Sequence, residues 1–251
     1  MPADTLGRAW DAFDAYLFDI DGTLMHCTDA VHYFAFNDAL TAIAGHPLTI
    51  DGVVAHGNVD IGIIRDAFAR AGIPESTWRP RLGEMLRRMG TFVSERRGDL
   101  CIDVLPQVRE VLGHLRTRGA ILGTATGNLE VIGRAKLDRV GLLDLFHFGG
   151  WSDASETRGD VFRHAAAKAR ELTARNGAEP PALCVVGDTP ADVRAARENG
   201  LKVIAVATGI YTFETLAAEH PDLLIRSLED LLPAASVLIA QPEAEPEEAA
   251  R

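Results

Sequence analysis

Two aspartates one residue apart, Asp19 and Asp21, follow the apolar run Ala15-Tyr16-Leu17-Phe18 and precede Gly22-Thr23-Leu24. A spacing of two keeps both side chains on one side of an extended backbone, and Gly22 lets the chain turn close to a ligand. Paired carboxylates at a strand end serve either a hard cation, which prefers oxygen ligands, or a nucleophile beside a general acid–base. A second apolar run ends in Val185-Val186-Gly187-Asp188-Thr189-Pro190-Ala191-Asp192. Asp188 is another acidic strand end and would complete a magnesium site. Asp192 falls in the first turn of a helix, where a carboxylate suits the positive end of the dipole. In Thr124-Ala125-Thr126-Gly127-Asn128 a hydroxyl at a strand end, followed by N–H groups at a helix start, makes a phosphate cradle.

These groups need elements to hold them. AYLF (15–18), AILGTA (120–125), LFHF (145–148), ALCVV (182–186) and VIAV (203–206) are short apolar runs of the kind found in parallel strands covered on both faces. Helices are expected between them: 106–118, with Pro106 at its first position; 189–200, with Thr189 as N-cap; and one started by Asn128. The pattern predicts a doubly wound, mostly parallel Rossmann-like α/β sheet, with ligands beyond the carboxyl ends of the strands.

About 95 residues separate Leu24 from the strand at 120, far more than a strand-to-helix connection needs. Segments 31–44, 60–71 and 78–96 read as helices, divided by Gly45-His46-Pro47 and Gly72-Ile73-Pro74. The expected organisation is a core of residues 1–24 and 101–233, an all-helical cap at 25–100, and an acidic tail at 234–251 whose end is disordered.

The net charge of −11 argues against nucleic acid or an anionic membrane as partner. No apolar run reaches the length of a membrane span. Three widely spaced cysteines and an N-terminus without a secretory signal point to reduced thiols in the cytoplasm. Residues 65–97 hold eight arginines against four acids. They read as solvated helix faces, with attraction of an anionic substrate as the alternative.

Together Asp19, Asp21, Thr126 and Asp188 resemble the motifs of the haloacid dehalogenase superfamily, specifically its helical-cap phosphatases of the phosphoglycolate phosphatase kind, over about residues 14–232. Gly57-Asn58-Val59-Asp60 looks like the family's cap segment Gly-x-Thr-Asp with Val for Thr. The resemblance implies that Asp19 attacks phosphorus to form an aspartyl-phosphate, with Asp21 as acid and then base. It implies Mg2+ on the Asp19 carboxylate, the Asp21 backbone carbonyl and Asp188, supported by Asp192. Thr126, Gly127 and Asn128 would bind the phosphoryl oxygens, and Asn58, Asp60 and Arg65 are the cap's candidate substrate contacts. The substrate would be a small phosphorylated metabolite, and the protein a monomer or homodimer.

The family's lysine between the second and fourth motifs has no clear counterpart. Lys136 and Lys168 fall inside expected helices and Lys202 follows the last motif, so Arg158 is assigned the role, carrying the charge on a broad fork. Asp21 disfavours the dehalogenases and phosphonate-cleaving relatives, which lack that acid. A sugar phosphomutase remains the alternative, and a catalytically silent regulatory relative a second one.

Overall fold

The computed structural model describes residues 5–174 and 180–232. The expected tail at 234–251 lies outside the described residues. Strands β1 (Ala15–Phe18), β4 (Ile121–Ala125), β5 (Phe148–Gly150), β6 (Leu183–Gly187), β7 (Lys202–Val206) and β8 (Leu223–Ile225) form one six-stranded sheet in the order β5-β4-β1-β6-β7-β8, parallel throughout. The chain moves outward from β1 to β4 and β5, then returns to β1's other side for β6, so the reversal of direction falls at β1.

Alternation along β1 sorts the core into two layers. Tyr16 and Phe18 pack with Val108, Val111, Leu112 and Leu115 of α5 (Val108–Thr117). Ala15 and Leu17 face α7 (Arg158–Thr173) and α8 (Pro190–Glu198). All four β1 residues are fully buried, as a central strand covered by helices on both faces must be.

Between β1 and β4 the chain adds α1 (Val31–Ala44), α2 (Asp60–Arg70), the short α3 (Glu75–Trp78) and α4 (Leu82–Glu95). Their apolar faces form a third cluster, which rests on Leu129, Ile132 and Ala135 at the start of α6 (Glu130–Arg139). Trp78 stacks on Phe68 within it. The segment is pinned at both ends by β2 (Met25–Cys27) and β3 (Ile102–Val104), which pair antiparallel. Asp29 adds a clamp, its carboxylate accepting from the N–H groups of Val31 and Cys101, each at 2.8 Å.

Several boundaries differ from the sequence reading. The helix expected over 78–96 starts as α4 at Leu82, after the short α3 and a 3₁₀ turn at Arg79–Arg81, because Pro80 has no N–H with which to continue the α-helical bonding. The strand expected at 145–148 lies at Phe148–Gly150. There Gly149 and Gly150 are needed for packing, since a Cβ at either would run into Trp151 or Ala165. Helix α5 starts after Gln107, not at Pro106. Three-residue strands such as β2, β3 and β8 are too short for a period to show in the sequence. A short α9 (Phe213–Ala217) completes the chain order.

Candidate active site

Strands β4, β1 and β6 are neighbours in the sheet, so the residues that follow them converge at one edge: Thr126, Asp19 and Asp188. Asp19, Asp188 and Asp192 each offer a carboxylate oxygen within 4.8 Å of the others, and all three are buried. The turn after β1 is shaped for this crowding. Gly22 has φ +86°, and a Cβ there would sit 2.3 Å from Asp188 Oδ2. Gly209, in the loop after β7, closes on the same oxygen. Thr23 Oγ1 donates to Asp188 Oδ1 at 2.8 Å.

Arg158, the first residue of α7, reaches this cluster. Its Nη2 lies 2.7 Å from Asp19 Oδ2 and 2.6 Å from Asp192 Oδ1, and its Nε donates to Asp192 Oδ1 at 2.8 Å. Asp192 Oδ2 accepts from the Thr189 N–H and hydroxyl in a capping box. Both Asp192 oxygens are thus occupied by protein donors, which fits a supporting place better than a ligating one.

Burial pushes the Asp19 carboxyl up to about 6, against the pull of Arg158, with Asp192 and Asp21 adding to the rise. Burial, then Asp19 and Asp192, also drives the Asp188 carboxyl well above its ordinary value. Three carboxylates face one guanidinium here, so negative charge is in excess. The donor set is all oxygen and the charge wants a counter-ion, so the residues fit a hard divalent cation.

Asp21 points elsewhere. Lys136, set aside on sequence, is 3% exposed and lies 2.9 and 2.8 Å from the two Asp21 oxygens. Its position inside α6 is no obstacle, because it shares the helix face of Ile132, Gly133 and Leu137, which turns inward. A lone lysine on the apolar stripe Leu129, Ile132, Leu137, Val140 was the signal available in the sequence. Burial alone would raise the Asp21 carboxyl, but Lys136 and the Asn128 amide together hold it well below the usual range.

Asn128 was expected to cap α6. Leu129 occupies the N-cap instead. Asn128 Nδ2 donates to Asp21 Oδ2 at 2.8 Å and to Thr126 Oγ1 at 2.7 Å. The first amides of α6 are taken from outside the helix, Leu129 N–H by Asp60 Oδ2 and Glu130 N–H by Asp153 Oδ2. The expected cradle therefore contracts to Thr126 and the Gly127 turn. Over it lies the loop before α2, with Asn58 O so close that a Cβ on Gly127 would come within 2.1 Å of it.

The other expected contacts are placed as follows. Asp60 is buried, bonded to Leu129 and 3.3 Å from His32 Nε2. Asn58 Nδ2 donates to Val54 O and Asp66, and Arg65 pairs with Asp66. His32 stacks on Phe36 and reaches Lys136, whereas His26 contacts Thr208 O. Lys168 is exposed and paired with Glu171. Of the arginines in 65–97, Arg79, Arg81, Arg88 and Arg97 pair with acids at the surface, in keeping with solvated helix faces.

Residues 13–200 match the haloacid dehalogenase-like hydrolase family, and the chain belongs to that family. It is 30% identical over 232 residues to a phosphoglycolate phosphatase of Synechococcus elongatus, covering 90% of this chain and 99% of that protein. It is 28% identical to the pyrophosphatase PpaX of Bacillus velezensis, over 87% of this chain and 94% of the relative. Its fold resembles a crystal structure of β-phosphoglucomutase from Clostridium difficile, with TM-score 0.62, 16% identity, and coverage of 88% and 93%. Among the described residues no helix is long and apolar enough to cross a membrane.

Proposed function

We propose that the protein hydrolyses a small-molecule phosphate monoester through an aspartyl-phosphate on Asp19. The observation that carries this reading is the meeting of Asp19, Asp188 and Asp192 with Arg158 beyond three adjacent strands, beside the Thr126 hydroxyl. An Asp19 oxygen forms the new P–O bond as the ester P–O bond breaks, and the leaving oxygen takes a proton that Asp21, a carboxylate in the free enzyme and partly open to water, relays from solvent. Water then attacks phosphorus, giving its proton to the Asp21 carboxylate, and Asp19 leaves as a free carboxylate. Arg158 holds the attacking oxygen in place and offsets charge on the transferred group.

Asp19, Asp188 and the Asp21 backbone carbonyl would hold Mg2+, with Asp192 in support. When bound it supplies neutralising charge for the phosphoryl oxygens. Residues 25–100 act as a cap on a core of 1–24 and 101–233. The buried nucleophile and the Asn58 roof over Gly127 favour compact substrates. The relatives' names, phosphoglycolate phosphatase and pyrophosphatase, are consistent with small anions.

The test is release of inorganic phosphate from an aryl phosphate with and without Mg2+. Mg2+-dependent release that Asp19→Asn lowers by about 10⁴-fold is expected. Full activity in Asp19→Asn, or no release with any divalent metal, would overturn the reading. Phosphate transfer to a sugar phosphate without net release would favour a mutase.

A further inference from the structure

A lysine ammonium carries three donors and no acceptor, so whatever faces it must present a lone pair. Lys136 Nζ touches both Asp21 oxygens, Asn128 Oδ1 at 2.9 Å and His32 Nδ1 at 3.4 Å. The oxygen end of the Asn128 amide is therefore the end turned to Lys136, whose three hydrogens are matched by that oxygen and the two of Asp21, with the His32 ring beside them. The amide's NH2 must then point the other way, where it meets Asp21 Oδ2 and Thr126 Oγ1. Thr126 Oγ1 accepts from that NH2 and faces the Asn128 N–H at 3.4 Å. Its own hydrogen is left to donate to a phosphoryl oxygen.

We infer that Lys136 is a positioning residue for phosphoryl transfer, fixing through Asn128 both the Asp21 carboxylate and the direction in which the Thr126 hydroxyl donates. The inference rests on the phosphatase reading and assigns a role unlike that of Arg158. Lys136 acts on the acid–base and the phosphate-binding hydroxyl, and its contacts do not include Asp19. It also joins this side of the site to α1 through His32, whose other nitrogen lies by Asp60 of α2.

The experiment compares the full chain with Lys136→Met, Asn128→Ala and the double variant, measuring kcat, KM and inhibition by inorganic phosphate. Lys136→Met is expected to lower kcat by about 100-fold and to weaken phosphate inhibition, with KM changing less than kcat. The double variant should be no slower than the slower single one, because both changes cut the same chain of bonds. Lys168→Met, at an exposed pair, should match the wild type. A kcat within about threefold of wild type in Lys136→Met, or losses that multiply in the double variant, would overturn the inference.

A second readout separates this from failure of the phosphatase reading and does not need Lys136→Met to fold. In the ¹⁵N-labelled wild type, Lys136 is the buried one of the three lysines, with Lys168 and Lys202 47% and 43% exposed. One slowly exchanging ammonium signal, shifted by Asn128→Ala, is expected even if no phosphate ester is turned over. Rapid exchange at all three would overturn the inference while leaving the phosphatase reading standing.

Discussion

The site has two cation–carboxylate centres, and they are built differently. On the Asp19 side, Arg158 is enclosed with Asp19 and Asp192, the side chains 7%, 7% and 0% exposed. All three belong to the sheet and to the helices packed on it. On the Asp21 side, Lys136 is as deeply buried, but its partner Asp21 keeps 39% of its side chain open to water. That centre also reaches α1 through His32. Asp19, the proposed nucleophile, is thus held by a dry and self-contained cluster. Asp21, the proposed acid–base, is held by a network open on one face and tied to the helices between β1 and β4, so a shift of those helices would be felt there first. On the proposed mechanism, such an arrangement would let a rigid nucleophile work beside a proton carrier that can exchange with water.

The contrast is broken or sharpened by three substitutions. Arg158→Met has the largest expected effect, lowering kcat by about 10²–10³-fold. Because it strands Asp192 without a counter-charge, it should also cost about 3–5 kcal/mol of stability. Urea unfolding and phosphate release measure both, and a variant of wild-type stability would mean that the cluster is not dry. Lys136→Met should lose less stability than Arg158→Met in the same urea series, since water can solvate the abandoned Asp21. Equal losses would erase the distinction between the two sides. Arg88→Ala, which removes an exposed pair with Asp38, should change stability by less than about 1 kcal/mol and leave kcat alone. A large loss of activity would revive the idea that the arginines of 65–97 draw in the substrate.

How far the sequence revealed each side follows from the same difference. Asp19, Asp188 and Thr126 were legible because each ends an apolar run, and adjacency of β4, β1 and β6 turns three separate strand ends into one site. Arg158 was legible as a cation after the strand at its side of the sheet. On the other side Asp21 itself was legible as the second carboxylate of the strand end, but the network that holds it was not. Lys136 and Asn128 follow helix rules in sequence, one as an interior residue and the other as a cap, and only packing shows that α6 turns Lys136 inward. The carboxylates that take the first amides of α6, Asp60 and Asp153, come from 69 residues before and 23 residues after the amides they bond; no local pattern marks such partners. The helix break at Pro80 was readable from its chemistry, whereas the three-residue strands β2 and β3 depend on pairing across the whole insertion.

The most direct measurement of the central claim is chemical trapping of the acyl phosphate. Enzyme quenched during turnover with Mg2+ and treated with borohydride should yield a peptide in which residue 19 has been reduced to homoserine. The product should be absent without substrate and absent from Asp19→Asn. Phosphate release at full rate with residue 19 unmodified, or reduction at another carboxylate, would contradict Asp19 as the nucleophile.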